Sequence, residues 1–201
     1  MAKHIDSVAT SGLPLVTKDA FYDAIQGGDL VFCWGSEAIS KAIEGVSGGP
    51  SHVLKAWTPW ANAPWLTLEA TFPSKTVQSA SGVHIGLFQD YMDQYTGDMV
   101  LCRREGLTPS NIVAELNAGF MLLDDNYNWK TEVSIAARKL LPFLPPVEIS
   151  NEMYCSGLQE VIGKSSPIPF QVYPPNPNTP EQDFTDPSVT AICGILQAQL
   201  K

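Results

Sequence analysis

The stretch Met153-Tyr154-Cys155-Ser156-Gly157-Leu158-Gln159-Glu160-Val161-Ile162 puts a thiol where a loop turns into a helix, downstream of a strand that opens Ser51-His52-Val53. A helix N-terminus presents unpaired backbone N–H groups and a partial positive charge, which favour thiolate over thiol and can cradle an oxyanion. A cysteine met at random is a small buried hydrophobe. The rest of the chain must therefore supply the partners of a nucleophile.

Composition narrows the field. The 201 residues, 44% hydrophobic and 16% charged, read as one globular domain over 1–201 with a core of its own. Cys33, Cys102, Cys155 and Cys193 form no C-x-x-C pair, which argues against a zinc site or disulfide framework and for reduced thiols. A net charge of −9 with lysines and arginines scattered singly opposes a nucleic-acid footprint. The segment Met1–Ser7 lacks a basic stretch followed by an apolar one, and no apolar run approaches the ~18 residues of a membrane span. The expectation is a cytoplasmic protein without membrane insertion, which would need a phage particle or secretion system to reach a cell envelope.

Working outward, Lys18–Ile25 has helical spacing and is stopped by Gly27-Gly28, and Leu30-Val31-Phe32-Cys33-Trp34 reads as a buried strand. Ser36 opens a helix through Glu44 with Gly45 as its stop. His52–Trp57 and Trp65–Ala70 are expected to pair antiparallel across a Pro- and Trp-rich excursion, with further strands at Val83–Leu87 and Met99–Arg103. Pro109-Ser110 starts a helix through Leu116 and beyond. Another short helix is predicted over 131–141, then the Cys155 helix to about Ile162, a proline-rich excursion from Pro167 to Pro187, and a last amphipathic helix from Pro187.

A cysteine nucleophile needs an imidazole and a polar group to orient it. His4 lies in a terminal segment, and His84 is assigned a surface or satisfied-core role, so His52 is the candidate base. Glu69 is an acid inside the apolar run Leu66-Thr67-Leu68-Glu69-Ala70, where an unpaired buried charge would be costly. Pairing with His52 across adjacent strands would supply its partner.

These residues resemble the papain-like cysteine amidases of the YaeF/YiiX type, a circularly permuted branch of the NlpC-like superfamily, whose order is His, acid, Cys. The resemblance rests on Gly28–Phe32, Ser36–Ile43, Pro50–Val53, Leu68–Ala70 and Glu152–Ser156, and spans roughly residues 27 to 190. It implies an α+β papain-like fold, an antiparallel sheet packed against the helix that carries the cysteine. It further implies Cys155 as nucleophile, His52 as general base and acid, Glu69 as the residue orienting His52, and the Cys155 N–H as an oxyanion donor. The implied activity is thiol-dependent hydrolysis of an amide in a small substrate, by preference a short cell-wall peptide, with no metal or organic cofactor. Lipid-type acyl hydrolysis or transfer, and a non-catalytic binding or virion-structural module, are the alternatives.

Two departures stand out. Gly157 occupies a position where that family usually has an acidic helix former, and the tryptophan-rich insert follows His52. Trp57, Trp60 and Trp65 could line a groove, although packing is the commoner role of such residues. Gly45-Val46-Ser47-Gly48-Gly49 matches G-x-S-x-G, and Ser47, Glu69 and His84 fall in hydrolase order, but the motif follows a helix and precedes a strand, the reverse of a nucleophile elbow. Asp124-x-Asn126-x-Asn128 starts like a calcium loop, yet Trp129 and Ile135 stand where glycine and glutamate are required.

Overall fold

The computed structural model describes residues 7–71, 81–126, 154–171 and 178–200. Among them, six strands form one antiparallel sheet in the order β4-β3-β2-β1-β5-β6. The strands are β1 (Leu30–Trp34), β2 (His52–Trp57), β3 (Leu66–Thr71), β4 (Gly82–Leu87), β5 (Asp98–Arg104) and β6 (Val189–Ile195). Helices α1 (Lys18–Ala24), α2 (Ala38–Ser47), α3 (Phe88–Gln94), α4 (Pro109–Phe120), α5 (Cys155–Gly163), α6 (Pro180–Phe184) and α7 (Gln197–Leu200) surround it. The predicted helix over 131–141 lies outside the described residues.

Strand alternation sorts the core into two faces. On one, Val31, Cys33, Leu54, Ala56, Met99 and Leu101 pack with Phe21 and Ile25 and with Phe88, Tyr91 and Met92 of α3. On the other, Leu30, Phe32, Trp34, Val53, Val100 and Cys102 pack with Cys155 and Phe184, while Leu68 and Ala70 meet Leu116 of α4 and Leu158 and Ile162 of α5. Both sides of β1 are covered, which is why its sequence is an unbroken apolar run rather than an alternating one.

Local chemistry sets several boundaries. Thr108 caps α4 in a reciprocal box with Asn111, and Pro109 occupies the first turn, where its missing N–H costs nothing. α2 does not stop at Gly45 as expected. It runs on to Ser47 and closes at Gly48, whose φ of 78° is the left-handed conformation that glycine adopts without a Cβ penalty.

The terminal element also differs from its expectation. Residues from Pro187 were expected to form an amphipathic helix, but Val189–Ile195 is β6, and only the short α7 follows. The β-branched residues Val189, Thr190, Ile192 and Ile195 suit a pleated surface, and pairing along β5 places Val189, Cys193 and Ile195 in the buried core.

A polar cluster that joins β2, β5 and α4 is buried in this core. Lys55 and Arg104, from β2 and β5, both reach Glu115 of α4, at 2.9 Å and 2.6 Å, with all three side chains fully buried. The Arg104 guanidinium also lies 4.2 Å over the Phe170 ring. Burial pulls the Lys55 pKa down despite the Glu115 charge beside it. Glu115→Ala leaves two buried cations without their anion, so a loss of about 3–5 kcal/mol is expected. Urea unfolding midpoints measure it, and a change below about 1 kcal/mol would show that the cluster is not held by its charge pairing.

Candidate active site

His52 is the first residue of β2, set there by the Gly48-Gly49-Pro50 turn out of α2. Its Nε2 lies 3.0 Å from Oε2 of Glu69 on β3. Both belong to the α3 side of the sheet, since His52 alternates with Val53, and Glu69 with Leu68 and Ala70. The antiparallel pairing of β2 and β3 thus joins two residues that are 17 positions apart in sequence.

The Glu69 carboxylate has no exposed surface and is held from several directions. The Thr67 hydroxyl donates to Oε1 at 2.9 Å and itself accepts from the Gly86 N–H at 3.1 Å. The Tyr91 hydroxyl donates to Oε2. His84, directly across from Glu69 on β4, brings Nε2 to 3.7 Å from Oε1, while its Nδ1 lies 3.1 Å from the Gly82 carbonyl. Burial raises the Glu69 pKa, but the hydrogen bond and charge of His52, the charge of His84 and the Tyr91 hydrogen bond outweigh it, leaving the carboxyl below its ordinary range. Burial and the Glu69 charge push the Tyr91 phenol well up, which keeps it a donor.

A carboxylate only accepts, so the His52 nitrogen facing it carries the proton, and in the neutral ring Nδ1 is left with a lone pair. That is the tautomer a general base requires.

Cys155 is the first residue of α5, and Tyr154 before it is extended and supplies no side-chain cap. The thiol end of α5 joins the cluster holding Phe32, Trp34, Val53 and Phe184, and the later turns, through Leu158 and Ile162, join the one holding Trp57, Leu68 and Ala70. Cys155 therefore belongs to the core layer that includes Phe32, Val53 and Phe184. Cys155 is fully buried. Ser156 Oγ donates to the Asn178 carbonyl at 2.7 Å, and the Asn178 N–H donates to Glu160 at 2.6 Å, tying α5 to the segment before α6.

The thiol set directly across from His52 is a different one, Cys33 of β1. Burial, then the Glu69 charge, push its pKa well up, against a hydrogen bond from Tyr95. Sequence reading missed Cys33, Thr67 and Tyr91 as neighbours of this carboxylate and gave His84 a surface or satisfied-core role. Thr67 was legible, two residues from Glu69 on one strand and hence on the same face. Tyr91 was not, because its helix was not foreseen.

The tryptophans do not share a groove. Trp57 packs on Phe120 with ring centroids 5.0 Å apart, Trp65 packs on the opposite face of the sheet, and Trp60 is 68% exposed. The glycine at 157 has a steric cause, since a Cβ there would stand 2.6 Å from the Tyr154 ring. Ser47 ends α2 and a strand follows it, the reverse of an elbow. Of the calcium-like stretch, position 127 onward lies outside the described residues.

These elements define an α+β protein with a six-stranded antiparallel sheet and helices on both faces, of the YiiX-like fold. The crystal structure of the metalloprotein YiiX from Escherichia coli O157:H7 is similar to it with a TM-score of 0.61, 16% identity, and coverage of 84% of this chain and 96% of that one. No protein-family model and no curated protein matches the chain.

The depressed Glu69 pKa has a pH consequence. A carboxyl lowered in the folded state adds stability that is fully present above its unfolded value and is lost as pH falls through the folded one. In urea titrations the wild type should thus lose stability relative to Glu69→Gln once pH drops below the ordinary value of 4.5. Parallel curves for the two proteins over that acid range would remove Glu69 as a source of acid sensitivity.

Proposed function

We propose that this protein is a thiol-dependent amide hydrolase in which Cys155 attacks, His52 moves the proton and Glu69 holds the imidazole. The observation that carries the reading is the His52–Glu69 hydrogen bond through Nε2, which leaves Nδ1 as the working nitrogen. The distribution of thiols supports it. Cys33, Cys102 and Cys193 lie within strands, and burial pushes the pKa of each up, whereas Cys155 opens a helix.

In the proposed reaction His52 Nδ1 takes the thiol proton, and the Cys155 thiolate attacks the amide carbonyl. The α5 N-terminus, through the Cys155 N–H, faces the developing oxyanion. His52 returns the proton to the departing amine as the C–N bond breaks, leaving a thioester. His52 then accepts a proton from water, whose attack releases the acid and restores the thiol. Glu69 stabilises the imidazolium formed in each half.

The substrate class favoured is a short peptide amide of the cell-wall type. The chain's net charge of −9 gives poor docking on an anionic lipid surface, and among the described residues no helix is long and apolar enough to cross a membrane. The YiiX neighbour is described as a metalloprotein. Among the described residues no group of three or more His, Cys, Asp or Glu side chains is arranged to hold a metal ion. The Glu69 oxygens are already engaged by Thr67, Tyr91 and His52, so the described residues do not fit one, and no step is routed through a metal.

A second reading, a binding module on the same scaffold, is favoured by the full burial of Cys155. Turnover separates the two. Incubation with muropeptides and with acyl-lipid amides, read by mass spectrometry, is expected to release product from the peptides. Cys155→Ser and His52→Ala should each cost about a thousandfold or more, and Glu69→Gln less. Release undiminished in Cys155→Ser, or no release from any amide, would sink the hydrolase. Cys155-dependent release from lipids alone would replace the substrate class.

A further inference from the structure

Glu69 stands between two imidazoles on neighbouring strands, yet it hydrogen-bonds only one of them. His52 Nε2 is 3.0 Å from Oε2, and His84 Nε2 is 3.7 Å from Oε1, beyond hydrogen-bonding range. The histidines flank the carboxylate from β2 and β4, and either could take it after a modest rotation of the acid group. Two neutral donors oppose that rotation. The Thr67 hydroxyl holds Oε1 and the Tyr91 hydroxyl, arriving from α3, holds Oε2. Thr67 donates to the oxygen that faces His84, so it fills an acceptor site there. Tyr91 donates to the oxygen that faces His52 and fixes it where the imidazole can reach it.

We propose that Tyr91 is a positioning residue that commits the Glu69 carboxylate to His52 rather than to His84, and thereby fixes the His52 tautomer. The inference rests on the site assigned above and adds a residue to it. Tyr91 acts through Glu69, since it and His52 bond the same oxygen, Oε2. The His84 ring already has an anchor in the Gly82 carbonyl at Nδ1, so its Nε2 is the nitrogen that would gain from a released carboxylate.

The test uses the chain's three histidines, few enough for each ring nitrogen to be followed by long-range proton–nitrogen NMR. Spectra are taken at about pH 8, above the ordinary imidazole value. Wild type is expected to show His52 as a single Nε2–H tautomer. Tyr91→Phe keeps the ring and removes the hydroxyl, and should turn His52 into a mixture of tautomers while the His84 Nε2 signal shifts. Adding His84→Phe to that variant removes the competitor and should restore the single tautomer. His84→Phe alone should leave His52 as in wild type.

A wild-type His52 that is not the Nε2–H tautomer overturns the proposal, and this holds even if Tyr91→Phe does not fold. So does an unchanged His52 pattern in Tyr91→Phe, or failure of the double variant to restore it. These readouts need no substrate. If the protein lacks amide hydrolysis, Cys155-dependent turnover fails while the tautomer pattern stands, and if the positioning role fails, the reverse holds.

Discussion

A carboxylate without exposed surface, Glu69, lies on β3, one strand in from the edge of the sheet, and is the group on which the polar contacts of β2, β4 and α3 converge. Removing a charge from water costs several kcal/mol even after relaxation, and that cost is offset only by good geometry from several partners. Here the partners come from three strands and a helix: His52 from β2, Thr67 from β3 itself, His84 from β4 and Tyr91 from α3. The order and register of the sheet are what bring these side chains to one carboxylate. Slipping β3 by one residue would turn Glu69 to the other face, among Leu116, Leu158 and Ile162, and bring Leu68 into the polar set.

The opposite face solves the same problem with a different chemistry. Glu115 there is held by Lys55 and Arg104, so this buried acid is satisfied by a lysine and an arginine, whereas Glu69 is satisfied by imidazoles and hydroxyls. Only the Glu69 set contains imidazoles, which can both donate and accept a proton through their two ring nitrogens. The Lys55–Glu115–Arg104 set ties β2 and β5 to α4.

Much of this site could be read before the fold was known. His52 and Glu69 were legible because each sat in a strand-like run and a charge among Leu66, Leu68 and Ala70 demanded a partner. The helix start at Cys155 was legible from the change of pattern there. The roles of His84 and Tyr91 were not, since an imidazole in Gly82–Leu87 carries no mark of what faces it. The expected helix after Pro187 failed for a related reason. Val189–Ile195 is short and mixed enough to suit either state, and the free edge of β5, which no local pattern reveals, decided for a strand.

By itself, then, the sequence determined the strands and helices with strong periodicity, the antiparallel partnership of β2 with β3, and the identity of the acid that needed a cation or imidazole nearby. Those features follow from short-range physics: side-chain period, capping, and the cost of an unpaired charge. Tertiary structure alone decided which thiol of the sheet stands across from His52 and which of two histidines receives Glu69. Each depends on strand order and on register between segments distant in the chain, and these are set by packing of both sheet faces at once rather than by any local stretch.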